Sequence, residues 1–507
     1  MLVWDEAAAL VALLGAPVSA AVMAATVGRG IPLLAARFGS LAAGSGFLLA
    51  AGLAVSSAAG EEASTGTGVF TFTTDRLAVA VLLLIFGVST VAQTFAVRYL
   101  AGDPRAWWFT AGASLLTAAS AVMVTATTLV GIAAGWTAAG VALCLLLGTY
   151  WQLPSARDGV RRAGVAFLIG DGALWAAVGL ISVRTGTVSL ADLPAAQLDG
   201  VLAPVVAVLI VVAALSRSAQ LPFHRWLPAT LAAPTPVSAL LHAGVVNAGG
   251  ILLIRLSPLP SPTLAAGLIV VAGATTMAYG AALMLVKPDI KGALAYSTMA
   301  QMGFMILTCG LGLWAATVIH LVAHGFYKAT LFLSSGSAIA RHRRFIALPA
   351  APRLTGHRRL VSLITAAALP LAALYAATEV FSTWTHTHAT EQALLLFAWV
   401  TGAAATWGWL QRRPDIAGAA SAGAVLLLAA VGYVALISAA TTFLTPALPD
   451  TTVPAPAVWV TVTAAVILLG ALAGLRWSPA ADALRRTVYT HALSAGTIQP
   501  TTAGAPR

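Results

Sequence analysis

Charge is what this chain has least of. Only 8% of its 507 residues are Asp, Glu, Lys or Arg, and the acids number 16. A soluble domain of that length cannot clothe its surface with so few charges, so a soluble globular fold is excluded. Cysteine is almost missing too. Cys144 and Cys309 lie far apart in apolar stretches, which excludes a disulfide framework and reads as two small buried hydrophobes. No CxxC, haem-attachment pattern, Walker sequence or strand-embedded GxGxxG occurs. The chain shows no means of binding nucleotide, carrying electrons or hydrolysing ATP.

What fills the chain instead is hydrocarbon, at 59% hydrophobic residues. Apolar runs of about 18 residues or more recur along its length, long enough to cross a bilayer. The fold class is therefore an all-α polytopic membrane protein. Reading the runs against their polar breaks predicts about fifteen spans, beginning near Ala7, Phe38, Leu77, Trp107, Gly131, Arg162, Val201, Thr235, Pro262, Gly292, Leu313, Leu360, Gln392, Gly418 and Ala457. The first lacks a basic leader and is followed by further spans, so it reads as retained rather than as a signal peptide. The longest connections are Glu61 to Arg76, Arg184 to Gly200, Arg341 to Arg359 and the proline-rich Leu444 to Pro456, and a polar tail runs from Ser478 to Arg507.

The net charge of +11 suggests nucleic acid until its placement is read. If the odd-numbered connections face the cytoplasm, they and the tail carry nearly all the basic residues, from Arg29 and Arg37 to the Arg341–Arg359 cluster and Arg507. The other side holds Arg76, Arg184 and Arg255, and Arg217 and Lys328 fall within spans. That asymmetry is the positive-inside pattern. It predicts a cell-membrane protein with its N-terminus outside and its C-terminus in the cytoplasm. The excess charge comes from topology, and the basic face meets anionic headgroups or a soluble partner.

Two segments carry chemistry. In His320-Leu321-Val322-Ala323-His324-Gly325-Phe326-Tyr327-Lys328, three titratable groups recur every fourth residue, which on a helix forms one stripe with steps of roughly 6 Å. Ionisable groups are costly at membrane depth, so the stripe reads as a functional path. A zinc site from His320 and His324 lacks a third ligand, and Lys328 would repel the cation. External His386 and His388, near Glu379 and Glu391, read as part of a solvated loop. The second segment runs from Ser216 to Pro236. Pro222 removes a backbone hydrogen bond from the seventh span, predicting a discontinuous helix with Arg217 just before the break. Such breaks are tolerated where they border protein or a water-filled cavity. The plainer alternative is that Pro222 ends the span and Arg217 snorkels to the surface.

Here a family becomes visible. The run SAQLPFHRWLPATLAAPTPVSALLHAGVVNAGGILLIR from Ser218 to Arg255 resembles the antiporter-like membrane subunits of respiratory complex I and of multi-subunit sodium/proton antiporters. So do KPDIKGALAYSTMAQMGFMIL from Lys287 and HLVAHGFYKATLFLSSGSAIARH from His320. Within that superfamily, LPFHRWLP combined with HAGVVNAGG is most similar to the membrane subunit of Dab-type inorganic carbon accumulation systems. The resemblance implies an antiporter-like core over residues 131–342, flanked by N-terminal helices (1–130), C-terminal helices (343–477) and a cytoplasmic tail (478–507). It also implies a proton path through Asp171, Arg217, His242, His320, His324 and Lys328, no cofactor, and a large cytoplasmic partner related to zinc carbonic anhydrases. Histidine suits such a path because it changes charge near neutral pH. His242 alone also reads as an interhelical hydrogen-bonder, and Asp171 as a packing anchor.

Departures from the family are informative. The relatives place a glutamate after the fifth-span tryptophan as partner to a seventh-span lysine; here Trp136 precedes Thr137 and the cation is Arg217. An arginine does not give up its proton, so it would serve as a fixed charge. The expected twelfth-span lysine is missing, since Ala376, Ala377 and Thr378 precede Glu379. No long amphipathic helix with a further span follows, which sets the chain apart from terminal complex I subunits. The leading expectation is a proton-conducting subunit of an inorganic carbon uptake complex, without a catalytic centre of its own. The alternatives are a pump module of an NADH:quinone oxidoreductase or a cation/proton antiporter subunit. A non-transporting scaffold would leave the titratable stripe unexplained.

Overall fold

Helix boundaries follow the few polar residues that the apolar runs leave free. The computed structural model describes residues 5–193, 198, 200–257, 259, 263–337, 356–381, 389–449 and 482–496. Within it Asp5, Asp75, Asp289 and Asp415 each accept a first-turn backbone N–H of the helix that follows, and Thr128 does the same. Such an acceptor satisfies donors that a helix start leaves open. Four of the chain's 16 acids therefore serve as helix caps.

The described helices are α1 (Glu6–Thr26), α2 (Pro32–Ala58), α3 (Arg76–Tyr99), α4 (Ala106–Thr125), α5 (Leu129–Leu147), α6 (Pro154–Thr185), α7 (Leu202–Arg217), α8 (Thr235–Ala243), α9 (Ala248–Arg255), α10 (Thr263–Val286), α11 (Ile290–Gly310), α12 (Trp314–Leu333), α13 (Gly356–Val380), α14 (Ala389–Leu410), α15 (Ile416–Leu444) and α16 (Asp482–Gly496). Among the described residues eleven segments are long and apolar enough to cross a membrane, one of them the pair α8–α9. With α7, α11 and α14 they match the expected spans, each starting within eight residues of the predicted position. The fifteenth span near Ala457, the basic cluster from Arg341 as far as Arg353 and the pair His386 and His388 lie outside the described residues, while Arg358 and Arg359 open α13.

The chain divides into two units: Met1–Gly312 with His320–Ser335 and Leu469–Arg507, and Leu313–Ile319 with Gly336–Leu468. In the first, the connection after α2 folds into a hairpin of β1 (Ser64–Thr67) and β2 (Phe70–Thr73), in register from Ser64 opposite Thr73 to Thr67 opposite Phe70. The Thr71 carbonyl accepts from Thr127 N at 3.0 Å, and Leu129 N donates to Val188 O at 2.7 Å. Asp75, which caps α3, also pairs with Arg255 at the end of α9, and Arg255 donates to the Val124 carbonyl at 2.9 Å. In the second unit, Ala373, Leu374 and Ala377 of α13 pack on Ala430 and Val434 of α15. Trp399 Nε1 donates to the Ala367 carbonyl at 2.9 Å.

Two spans of the first unit are broken. α7 has only 16 residues, about 24 Å of rise against a hydrocarbon core of about 30 Å. The chain leaves it through Ala219, at a left-handed φ of 51°, and continues as a 3₁₀ segment, Phe223–Thr230. The predicted interruption at Pro222 is therefore present. The eighth span is interrupted as well: α8 stops at Ala243, Val245–Asn247 forms a 3₁₀ turn and α9 resumes at Ala248. Ser218 Oγ donates to the Val246 carbonyl at 2.7 Å, so each break helps satisfy the other. Every residue of the Thr235–Arg255 segment is buried except Gly244 and Arg255, the setting in which irregular backbone at membrane depth survives.

Helices α10 and α11 meet backbone to backbone. A Cβ at Gly280 would lie 2.6 Å from Ala300 N and 2.9 Å from the Tyr296 carbonyl, whereas one at Gly179 of α6 would meet nothing within 4 Å. Small residues are what allow this approach. Replacing Gly280 with Val should force the helices apart at a cost of about 1–3 kcal/mol, read as a lower melting temperature in detergent. Gly179→Val should leave it unchanged; equal effects would show that the close approach is not what holds the pair.

Candidate functional site

The site begins with a charge that has no access to water. Arg217 is fully buried at the end of α7, so it does not snorkel. One amino group, Nη2, donates to Asp171 Oδ1 at 2.7 Å, and Nη1 donates to the Trp136 carbonyl at 3.1 Å. Its guanidinium carbon lies 4.5 Å from the Trp136 ring centroid and 4.3 Å from that of Phe167, close enough for cation–π attraction. Trp136 Nε1 donates to the same Asp171 oxygen at 2.7 Å. Gly140 makes the room, since a Cβ there would stand 2.8 Å from Nη2. The cation is held from α5 and α6 together.

This answers the departure noted at Thr137. The fifth span has no carboxylate, and the counter-charge comes from Asp171 on the sixth. Sequence spacing could not show the pairing, because the two residues are 46 positions apart on different helices. Asp171 keeps 15% of its side chain exposed. It borders a cavity of about 680 Å³ between α5 and α6, shared with Thr137 and Cys144 and reaching Arg105 and Trp151.

A second cluster lies on α8, α11 and α12. Lys328 is buried, and its Nζ donates to Ser297 Oγ at 2.7 Å. The rings of His320 and His324 lie 5.6 Å apart and nearly parallel, the separation that four-residue helical spacing requires. The Gln301 carbonyl hydrogen-bonds the His320 ring, and Phe304 meets that ring edge-on at 4.8 Å. His242 stacks on Phe332 at 4.3 Å. Phe332 stands one turn beyond Lys328 on α12, so His242 packs against the helix that carries the stripe. The structure therefore gathers His242, His320, His324 and Lys328 on one side and Asp171 with Arg217 on the other.

The two clusters differ in saturation. Asp171 and the Arg217 amino groups are paired, but His242 Nδ1, His320 Nε2 and both ring nitrogens of His324 have no hydrogen-bond partner among the described residues. Buried polar atoms are normally satisfied, and open ones cost stability. Histidine changes charge near neutral pH, so ring nitrogens that no protein group engages are available for proton exchange. Sequence reading used Trp136 only as a landmark and gave Ser297 and Asn247 no role. Only Trp136 had a local signal, in the Gly135-Trp136 step. Glu379, the acid of the twelfth span, is exposed near the end of α13.

These features describe a multi-span membrane protein in which interrupted helices carry buried charge beside a row of histidines. The chain belongs to the NADH:quinone oxidoreductase/Mrp antiporter transmembrane family, whose sequence profile matches residues 126–406, more than half of it. A profile for the N-terminus of complex I chain 5 matches residues 66–110. It is 36% identical over 298 residues to the probable inorganic carbon transporter subunit DabB1 of Halothiobacillus neapolitanus, covering 57% of this chain and 53% of that protein. To NADH-quinone oxidoreductase subunit L of Mycobacterium tuberculosis it is 38% identical over 276 residues, covering 52% and 43%. The chain spans about half the length of the curated relatives it matches. A chain of the Mrp complex from Dietzia sp. DQ12-45-1b shares the fold with a TM-score of 0.61 and 23% identity, over 96% of this chain and 60% of that one. A chain of respiratory complex I from Thermus thermophilus does so at 0.56 and 22%, over 86% and 99%.

Removing one member of a buried ion pair leaves the other uncompensated. Asp171→Ala should therefore destabilise the protein by about 3 kcal/mol, seen as loss of folded material in detergent. The double variant Asp171→Ala/Arg217→Leu should recover much of that yield. A double variant no better than the single would mean that the pair does not carry the energy assigned to it.

Proposed function

We propose that this chain is the proton-conducting membrane subunit of an energy-coupled inorganic carbon uptake complex, handling carbon dioxide or bicarbonate. The observation that carries the reading is the row His242, His324, His320 and Lys328 within apolar spans, three of them buried and His320 half-buried, with ring nitrogens that no described protein group engages. The likeness to subunits named as probable inorganic carbon transporter subunits supplies the substrate class. The path uses Asp171, Arg217, His242, His320, His324 and Lys328, within a core of residues 131–342. Arg217 keeps its proton and serves as a fixed electrostatic gate, while the histidines and Lys328 change charge as protons pass.

The distribution of basic loops supports an orientation with the N-terminus outside and the C-terminus in the cytoplasm. Protons moving inward release about 2.3 kcal/mol per charge for every 100 mV. That energy drives a cytoplasmic partner of the zinc carbonic-anhydrase type, which hydrates carbon dioxide in one direction. The hydration chemistry belongs to the partner, and this chain supplies the proton current. A second reading, a pump module of an NADH:quinone oxidoreductase, is favoured by the 38% identity to the mycobacterial subunit L. Proton pumping linked to NADH oxidation, or sodium-dependent pH change in vesicles, would favour that reading or an antiporter subunit.

Lys328→Ala removes the charge that ends the row, and Lys328→Arg freezes it. Both should abolish gradient-dependent uptake of labelled bicarbonate in cells, while the protein still assembles in the membrane. Normal uptake by an assembled variant would remove the row from the mechanism.

A further inference from the structure

The cavity between α5 and α6 is larger than the Asp171–Arg217 pair requires. It runs from Arg105, Trp108 and Trp151 at one end to Thr137 and Asp171 at the other. From Val160 to Asp171, α6 climbs about 16 Å, the depth of one leaflet of a hydrocarbon core about 30 Å thick. A volume of about 680 Å³ over that length leaves a cross-section of roughly 40 Å², about half that of a helix 10 Å across. A hydrocarbon chain fits this groove, and a second helix does not.

Its walls are apolar, with Val141, Leu145 and Leu168 exposed on them. The polar groups along it are already engaged. Asp171 Oδ1 accepts from Arg217 and Trp136, Thr137 Oγ1 accepts from Trp175 Nε1 at 3.1 Å, and Trp108 Nε1 donates to the Leu145 carbonyl at 2.8 Å. The mouth is different. Arg105 borders it, and Arg157, exposed three residues before Val160, shares the α6 face that lines the groove. Neither guanidinium has a hydrogen bond or ion pair among the described residues. The nearby acids are taken: Asp158 pairs with Arg162, and Asp103 Oδ2 accepts from the Tyr150 hydroxyl at 2.7 Å. The mouth is therefore cationic, and its two tryptophans suit a membrane–water boundary.

We propose that this groove holds one acyl chain of an anionic phospholipid, with the phosphate on Arg105 and Arg157 and the end of the chain against Thr137 and Asp171. Both connections that meet at the mouth, α3–α4 and α5–α6, are odd-numbered, so the basic-residue pattern supports a place at the inner leaflet, where anionic headgroups attract arginine. The chain end covers the opening through which Asp171 keeps its 15% exposure. On that side the ion pair then meets hydrocarbon instead of water. The site goes beyond proton conduction and stands without it.

Gly164 offers the decisive variant, because it lines the groove and a Cβ there meets nothing within 4 Å. Gly164→Phe therefore fills the groove without a clash at its first carbon. Gly172→Phe, on the same helix with the same free space but not among the groove residues, is the control. Each protein is purified with the chains that accompany it in its native membrane, stripped of lipid in detergent, and titrated with dioleoylphosphatidylglycerol or dioleoylphosphatidylcholine. Native mass spectrometry counts the phospholipid that stays bound. The wild type and Gly172→Phe should hold the anionic lipid about fivefold or more tightly than the zwitterionic one. Gly164→Phe should weaken that binding about tenfold or more, and Arg105→Gln/Arg157→Gln should hold the two lipids alike. Glycerol phosphate, a headgroup without tails, should not displace the bound lipid. Equal binding by Gly164→Phe and Gly172→Phe, a wild type without preference, or displacement by glycerol phosphate would overturn the proposal. If Gly164→Phe does not fold, Gly164→Leu and cryo-microscopy of the wild type decide. Tail-shaped density between α5 and α6 supports the site, and polypeptide density there overturns it.

Discussion

A guanidinium that cannot lose its proton, held where water does not reach, sets the terms for the rest of the molecule. The desolvation of such a charge is repaid only by a counter-charge in good geometry with its other donors satisfied. Three helices therefore converge on Arg217: α5 with a carbonyl and an indole face, α6 with Asp171 and Phe167, and α7 with the cation itself. Gly140 has to be small, since any side chain there would run into the guanidinium. The break after Arg217 follows from the same demand. A helix continued straight through Pro222 would lose a hydrogen bond. The broken chain instead lets Ser218 satisfy the Val246 carbonyl exposed by the neighbouring interruption.

A fixed charge by itself moves nothing. The histidine row supplies the contrasting half, with ring nitrogens that have no partners among the described residues and a lysine end held by one serine hydroxyl. On the proposed proton path the division of labour is physical: arginine suits a position where charge must not change, and histidine one where it must. The loss of the fifth-span carboxylate at Thr137 fits this arrangement. A sixth-span acid beside an arginine keeps a standing ion pair, whereas a lysine partner is open to titration.

Much of this was legible in the sequence. Apolar runs located the spans, because hydrocarbon length is the one constraint that a bilayer enforces residue by residue. The four-residue spacing of His320, His324 and Lys328 foretold a stripe, because helical geometry is local. Pro222 announced the first break for the same reason. What could not be read was anything that depends on which helices touch. The partner of Arg217 is one such case. The break in the eighth span is another: Gly244 by itself is a weak signal, and the residue that compensates for it, Asn247, acts through a carbonyl four positions back. The pairing of Asp75 with Arg255 spans 180 positions and has no local signature.

The most direct test of the central claim is proton flux through the purified complex, reconstituted in sealed liposomes with a pH-sensitive dye inside and driven by an imposed inward gradient. The account expects acidification of the lumen that a membrane voltage of the right sign accelerates and that sodium does not alter. Flux that requires sodium, or liposomes that stay as proton-tight as empty ones, would contradict it.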